Sequence, residues 1–162
     1  MSALIDRLQA SPLTTFLSEN AYAFPLLEIA HVLSFSLVLG TIFVIDLRLT
    51  GLGWRRWGAR ALLDDLVPVT IWAFGFTALS GVFLFASQPQ AYVAAWPFRL
   101  KLVLLALAGA NALGFHLLGA DKVPAEAGER LPIVARVSGG ASLLLWTLIL
   151  ATGRFIGFVI VH

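Results

Sequence analysis

The strongest constraint on the fold of this chain is a set of four long apolar stretches, each about as long as a membrane is thick. They cover residues 24–45, 66–86, 98–118 and 137–161. A helix of about 20 apolar residues crosses the roughly 30 Å hydrocarbon core of a bilayer, whereas the strands of a membrane barrel are about 10 residues long and alternate in polarity. The sequence therefore predicts an all-α integral membrane protein: residues 1–162 form a single membrane domain, a bundle of four transmembrane helices.

Composition supports this prediction and excludes several kinds of chemistry. Hydrophobic residues make up 59% of the chain and charged residues 12%, against about half and a quarter in ordinary soluble domains. The chain has no cysteine, which excludes disulfides, thiolate metal sites and cysteine catalysis. The net charge of +2 is small and the arginines flank membrane spans, so we expect the lipid bilayer, and no nucleic acid, as a partner.

Basic residues in the loops predict the orientation of the bundle. Lys and Arg occur after the first and third apolar stretches and are missing from residues 87–97; they are Arg48, Arg55, Arg56, Arg60, Lys122, Arg130 and Arg136. Short loops rich in these residues stay in the cytoplasm. We therefore expect a multi-pass protein of the bacterial inner membrane, with the N- and C-termini on the periplasmic side.

The first residues, MSALIDRLQASP, have no apolar core of the signal-peptide type, so we expect them to remain in the mature chain. Leu4, Ile5, Leu8 and Leu13 are spaced as on one side of a helix. This pattern predicts a short amphipathic helix that lies at the membrane interface; a frayed polar terminus is the alternative.

An acid and an imidazole lie one helical turn apart inside the first apolar stretch. At 1.5 Å per residue His31 lies about 10 Å from its outer end, and Glu28 is on the same face. The imidazole either forms a hydrogen bond between helices, with Ser34 and Ser36 nearby, or ligates haem iron or another transition metal. Glu28 is an interface carboxylate, or it orients the imidazole or holds a proton.

Three cationic side chains fall in the same outer layer. Arg99 and Lys101 open the third stretch, and Arg154 lies near the outer end of the fourth. Because positive charge is disfavoured on this side, we expect something negative to hold them, either Glu28 or the carboxylates of a cofactor. Arg99 is also explained by snorkelling to the headgroups, while the guanidinium of Arg154 suits bidentate contact with a carboxylate.

The other two histidines are less readily assigned. His116 lies about 22 Å further along the third helix than Lys101, so His31 and His116 are too far apart in depth to ligate one iron. His116 is an interface or packing residue, or it forms a second, inner site with Asn111. His162 ends the chain and is either free in water or a ligand. Without cysteine, and with Met1 as the one methionine, a copper site would depend on histidine and carboxylate ligands.

Two of the stretches resemble a known group of proteins. LEIAHVLSFSLVLGTIFVIDLRL and WPFRLKLVLLALAGANALGFH resemble segments of small four-helix bacterial membrane proteins related to the haem-containing protoporphyrinogen oxidases and to the copper-resistance D membrane domain. In the oxidases a histidine of the first span, linked to haem b, and a lysine of the third span are the essential polar residues. The resemblance implies that His31 and Lys101 have these roles here.

Together these observations lead us to expect a b-type haem in the periplasmic half of the bundle. His31 would be the axial metal ligand, Lys101 the opposite ligand or a propionate partner, and Arg99 and Arg154 further cofactor-binding residues. Lys101 and Glu28 are the candidate catalytic residues of a haem-dependent oxidoreductase that transfers electrons or oxidises a porphyrinogen, with a quinone or a periplasmic redox protein as partner.

Two functions of other classes stay open at this point. One is a permease or metal-handling protein in which Glu28, His31 and Lys101 line a path for protons or copper. The other is a structural subunit, whose polar layer serves contacts between helices in a homo-oligomer or a larger membrane complex.

Overall fold

The computed structural model describes residues 2–161, with side chains for residues 5–160. This part of the chain contains helices and no strand. The helices are α1 (Ser2–Gln9), α2 (Pro12–Glu19), α3 (Ala23–Thr50), α4 (Ala59–Ser87), α5 (Pro89–Ala94), α6 (Trp96–Leu118) and α7 (Ile133–Val161), with a 3₁₀ turn at Ala120–Lys122. Four of them, α3, α4, α6 and α7, are long and apolar enough to cross a membrane, which confirms the all-α prediction and the number of membrane helices.

The membrane helices extend beyond the apolar stretches, mainly at the end of the bundle that carries the basic loops. We call this the inner end, and the opposite end, with α1, α2 and α5, the outer end. α3 continues to Thr50, where Gly51 in the left-handed conformation (φ 80°) terminates it, and its N–H donates to the Arg48 carbonyl at 3.1 Å. α4 begins at Ala59, and an ion pair between Arg60 and Asp64 at 3.4 Å links its first two turns.

The predicted loops were therefore too long, because hydropathy detects the part of a helix that lies in lipid and not its charged ends. α7 likewise begins at Ile133 rather than at residue 137. On the outer side, the segment SQPQAYVAAWP contains the short helix α5, which begins with Pro89 at its first position.

The four membrane helices form an open bundle. α3 packs against α4 and against α7, and α6 packs against α7. In the described part of the chain α4 and α6 touch at the outer end, where the Phe85 and Phe98 rings stack at a centroid distance of 5.5 Å, and they form no extensive interface with each other. A cleft consequently remains between α4 and α6, and α3 and α7 form its floor.

Close contact between helices depends on small residues and on aromatic side chains. A Cβ on Gly139 of α7 would lie 3.0 Å from the Leu49 Cβ and 3.1 Å from the Asp46 carbonyl oxygen of α3, so only glycine permits this approach. Near mid-membrane, Trp146 packs against Phe35 and Phe74, with ring centroids 6.3 Å apart in each pair. These three rings, which we call the aromatic layer, separate the outer half of the bundle from the inner half.

Two short helices cover the outer end of the bundle. Ser11 caps α2 by accepting a hydrogen bond from the Thr14 N–H at 3.2 Å. The buried Thr14 hydroxyl lies 2.7 Å from the carbonyl oxygens of both Leu8 and Ala86, so it links α1, α2 and the end of α4. Leu17 is buried with it, while Leu13 is 41% exposed. The expected single helix is thus two helices that pack on the bundle.

Side-chain donors order the two inner loops and join them. Arg48 at the end of α3 donates from Nε to the Trp57 carbonyl of the first loop at 2.9 Å, and Arg60 of α4 donates from Nη1 to the Ala120 carbonyl of the second at 3.0 Å. A Cβ on Gly58 would overlap the Ala125 carbonyl oxygen. The close fit at Gly58 joins the start of α4 to the loop before α7.

Candidate functional site

The His31 imidazole lies between α3 and α4, half-buried, with a specific hydrogen-bond partner. Its Nδ1 is 2.9 Å from the Oγ of Ser80, a buried residue of α4. The Ser80 hydroxyl is also 2.8 Å from the Phe76 carbonyl and 3.1 Å from the Thr77 carbonyl of its own helix. Serines inside helices commonly donate to the carbonyl one turn earlier.

The tautomer of His31 follows from where the Ser80 hydroxyl directs its proton. A serine hydroxyl has a single proton to donate, and the carbonyls of Phe76 and Thr77 compete for it with His31 Nδ1. When the proton goes to either carbonyl, Ser80 Oγ accepts from His31 Nδ1–H. In the neutral imidazole this leaves the lone pair on Nε2, the nitrogen that is available to a metal when Nδ1–H is held by a hydrogen bond.

Neighbouring groups fix the plane of the ring. Phe35, one turn further along α3, lies nearly parallel to the imidazole at an interplanar angle of 7° and a centroid distance of 6.4 Å. A Cβ on Gly81 of α4 would lie 3.2 Å from His31 Cε1. Because Gly81 has no side chain, the edge of the His31 ring fits against α4 at this point.

Lys101 joins the same cluster from α6. Its ammonium lies 5.6 Å from the centroid of the Phe35 ring, the geometry of a cation–π contact. A Cβ on Gly153 of α7 would lie 3.7 Å from its Nζ, an ordinary van der Waals contact, so the amine lies beside α7. His31 and Lys101 thus share Phe35 as a common neighbour. Among the described side chains the ion pair is that of Arg60 with Asp64, and Lys101 has no carboxylate partner.

The other predicted site residues lie around this cluster, on the outside of the bundle. Glu28, Arg99 and Arg154 are all exposed. The Arg154 guanidinium lies 5.3 Å from the Phe158 ring centroid, one turn further along α7. The structure therefore brings His31 and Lys101 together and leaves Glu28, Arg99 and Arg154 without an ion pair among the residues that it describes.

Glu28 acts electrostatically on Tyr92 of α5. Burial of Tyr92 raises the pKa of its phenol above the ordinary value, and the negative charge of Glu28 adds to this effect. Tyr92 also packs against Phe98 and Phe85, with centroid distances of 5.4 Å and 6.2 Å. Tyr92 is thus a further polar residue of the outer end, close to Glu28.

The inner half of the bundle contains a separate polar region. His116 is exposed and, with Asn111, lines a cavity of about 510 Å³ between α4 and α6. The Asn111 amide donates to the Ser138 carbonyl at 3.1 Å and accepts from the Ser138 hydroxyl at 3.2 Å. His31 and His116 thus lie in different halves of the bundle. His162 lies outside the described residues.

The sequence interpretation missed several residues of both regions. Phe35 had a detectable signal, since it follows His31 by one turn, but Ser80 is on another helix and its pairing depends on helix rotation. Asp46 is a lone acid at the inner end of the first apolar stretch; it is 5% exposed and lines the inner cavity. Its isolation among apolar residues was the signal that should have drawn attention.

Ligand types limit what the cluster can bind. No group of three or more His, Asp or Glu side chains that would hold a metal ion occurs among the described residues. The outer cluster offers one imidazole lone pair and one amine instead. No protein-family model, curated protein or solved structure matches this chain.

Proposed function

We propose that this protein is a b-type haem protein of the inner membrane that carries out redox chemistry in the outer half of its bundle. The observation that carries the proposal is the distance of 2.9 Å between His31 Nδ1 and Ser80 Oγ, because an Nδ1–H that donates to Ser80 would leave Nε2 as a ligand. A porphyrin brings four nitrogens of its own, so one imidazole from the protein would suffice to attach it. A bare copper ion would need several protein ligands from a cluster that has one histidine.

The residues of the outer cluster fit a haem in their donor chemistry. His31 would bind the haem iron through Nε2, and Lys101 would either bind the iron or contact a propionate. Arg99 and Arg154 are exposed guanidiniums of the same outer layer and suit the carboxylates of the propionates. Three cations without carboxylate partners are costly next to lipid, and an anionic cofactor would lower that cost.

A bound haem b supplies one-electron oxidation and reduction. The chain contributes the control of its surroundings: Ser80 holds the His31 ring by its Nδ1–H, Phe35 supports the ring and the Lys101 ammonium, and Gly81 makes room for the imidazole edge. Glu28, an exposed carboxylate, would accept the protons released at the outer surface, as proton-coupled electron transfer from a quinol or porphyrinogen requires.

The proposed function includes an orientation of the bundle in the membrane, with its outer end facing the periplasm. With the basic loops in the cytoplasm, His31 and Lys101 lie towards the periplasm, and α1 and α2 lie at the periplasmic membrane interface. A periplasmic redox protein or a membrane-soluble quinol would then reach the site, and porphyrinogen oxidation is the enzymatic version of the function.

The test is an absorption spectrum of the protein purified in detergent from cells supplied with haem. We expect a Soret band, reduced α and β bands after dithionite, and about one haem per chain by the pyridine haemochrome assay. His31→Ala should remove the bands. Ser36→Ala is the matched control, because its exposed hydroxyl contacts only the Val32 carbonyl, and it should keep them.

Other outcomes would favour the other classes of function. Absence of haem from the wild-type protein, together with proton or copper flux into liposomes that His31→Ala abolishes, would replace the proposal by a permease. Absence of haem and of flux, with co-purification of large membrane partners, would indicate a structural subunit.

A further inference from the structure

The inner cavity carries an inference that is independent of the proposed haem site. The cavity has a volume of about 510 Å³ and is lined by residues of all four membrane helices. Sites for small organic ligands commonly have volumes of about 300–1,000 Å³ and are mostly apolar, with a few convergent polar groups. The cavity matches this description, since Val38, Ile42, Ile71 and Leu105 belong to its apolar walls.

A buried carboxylate is part of the cavity lining. Asp46 of α3 is 5% exposed, and its Oδ2 has no hydrogen-bond partner among the described residues. The Ser142 hydroxyl of α7 lies beside the carboxyl group. An acceptor buried without a partner costs free energy comparable to a lost hydrogen bond, and more when it is charged. A ligand that donates a hydrogen bond to Asp46 Oδ2 would remove this cost and would explain a buried acid at this position.

The protein itself supplies no cation for Asp46. Arg48, two residues further along α3, forms no ion pair with Asp46, and its Nε donates to the Trp57 carbonyl. Arg60 lines the cavity but pairs with Asp64 at 3.4 Å. Asp121 and His116 also line it, at the inner end. The lining holds three acidic side chains, Asp46, Asp64 and Asp121, and one guanidinium, so its acids outnumber its cations and a cationic ligand is favoured.

The walls determine what kind of cation fits. A hard metal ion prefers six or more oxygen ligands, and the described residues hold no cluster of three acids or histidines. Phe74 and Trp146 line the deep end of the cavity with their rings, and aromatic faces favour cations and apolar groups. Together, one buried acid and apolar, aromatic walls select an amphipathic molecule with one ammonium group.

We propose that the cavity between α4 and α6 binds small lipophilic organic cations, with the ammonium group donating to Asp46 and the apolar body against Phe74 and Trp146. Because the described contact of α4 with α6 is at the outer end, between Phe85 and Phe98, such a molecule enters sideways from the inner leaflet or from the inner end. The proposal does not depend on haem at His31.

The test is isothermal titration calorimetry on the full chain in detergent, with phenethylammonium as the probe. The neutral isostere 2-phenylethanol and the anion 3-phenylpropanoate are the comparison ligands. We expect one phenethylammonium site per chain and weaker binding of the other two. Asp46→Asn should weaken binding of the cation about tenfold or more, the loss of one charge-assisted hydrogen bond, and leave the alcohol unaffected. Asp65→Asn, an exposed acid that does not line the cavity, should change nothing.

A second variant tests the cavity without altering its charge. A Cβ on Gly109 meets no atom within 4 Å, and Gly109 lines the cavity, so Gly109→Leu should fill it and abolish binding. Gly75→Leu is the matched control, because Gly75 is equally free of neighbours but lies outside the lining.

Unchanged affinity of phenethylammonium for folded Asp46→Asn would overturn the proposal, and so would 2-phenylethanol binding as tightly as the cation. Should Asp46→Asn fail to fold, Gly109→Leu decides: retained binding in that variant rejects the cavity as the site. None of these results bears on the haem spectrum, which tests the proposed function separately.

Discussion

At the scale of single residues, the candidate site depends on how one hydroxyl proton is shared. When Ser80 donates to the Phe76 carbonyl, its oxygen accepts from His31 Nδ1–H, and this leaves Nε2 with its lone pair. Hydrogen-bond partners of a ligating histidine typically change ligand affinity by about 10–100-fold when they are removed.

Ser80→Ala should therefore weaken haem retention without abolishing it. We expect haem to transfer to apomyoglobin about tenfold faster from this variant than from the wild-type protein, as followed by absorbance. Ser36→Ala should transfer at the wild-type rate. Equal rates for Ser80→Ala and the wild-type protein would remove Ser80 from the site.

A second prediction concerns Tyr92, whose pKa is raised by burial and by Glu28. A raised pKa favours the protonated phenol in the folded state. The contribution of Tyr92 to the free energy of unfolding is therefore complete when the pH is below the pKa of tyrosine in the unfolded chain, about 10. It is lost as the pH rises through the higher pKa of Tyr92 in the folded protein.

Folding stability in detergent should accordingly fall with pH above about 10, and Glu28→Gln should lower the pKa of Tyr92. The measurement is the tyrosinate absorbance in a Tyr22→Phe background, which leaves Tyr92 as the single tyrosine of the chain. An unchanged titration curve in Glu28→Gln would contradict the proximity of the two groups.

At the scale of helices, glycine positions decide which pairs pack closely. Gly139 lies against α3 and has no room for a Cβ, whereas a Cβ on the adjacent Gly140 meets no atom within 4 Å. The two residues are one position apart and therefore form a matched pair, in which helix propensity is the same and packing differs.

Gly139→Ala should destabilise the protein by about 1–3 kcal/mol, because a methyl group would force α3 and α7 apart. Gly140→Ala should be neutral or stabilise it by up to about 1 kcal/mol, as expected when alanine replaces glycine in a helix. Thermal unfolding in detergent, followed by circular dichroism, checks both; a similar midpoint shift for the two would show that the α3–α7 contact is not close.

The sequence predicted those parts of the helices whose composition is determined by contact with lipid. Four continuous apolar stretches predicted α3, α4, α6 and α7, because the hydrocarbon core requires a minimum apolar length. The break between α1 and α2 at Pro12 and the short helix α5 depend on local capping and on packing against the bundle. Hydropathy detects neither this break nor α5. It also misses charged residues at the ends of membrane helices, such as Arg60 and Asp64 in α4.

The site was predictable in part. His31 and Lys101 were recognisable as ionisable residues at one depth, and the structure places both against Phe35. Ser80 and Gly153 were not predictable, because contacts between helices depend on their rotation and register. The open cleft between α4 and α6 follows from which helices pack together, a property of the assembled bundle that no single stretch reveals.

At the scale of the whole molecule, the proposed function requires that α1, α2, α5 and the His31 cluster lie on the periplasmic side. The chain has no cysteine, so single cysteines can be introduced without background labelling. Ser18 and Gln88 are exposed at the outer end, and Arg56 and Gly128 are exposed in the inner loops.

Cysteine at residue 18 or 88 should react with a membrane-impermeant maleimide in spheroplasts, at rates at least about tenfold above those of cysteine at residue 56 or 128. The latter two should react only after the membrane is permeabilised. The reverse pattern would place the basic loops outside and the proposed haem site towards the cytoplasm, against the positive-inside rule.

The proposed function depends on binding of haem iron by Nε2 of His31, and its most direct test is chemical rescue of His31→Gly by imidazole. We expect the purified variant to lack a Soret band with added haem, and imidazole in the buffer to restore a band at the wild-type position. A variant that keeps the wild-type spectrum without imidazole, or a wild-type protein that shows no Soret band, would contradict it.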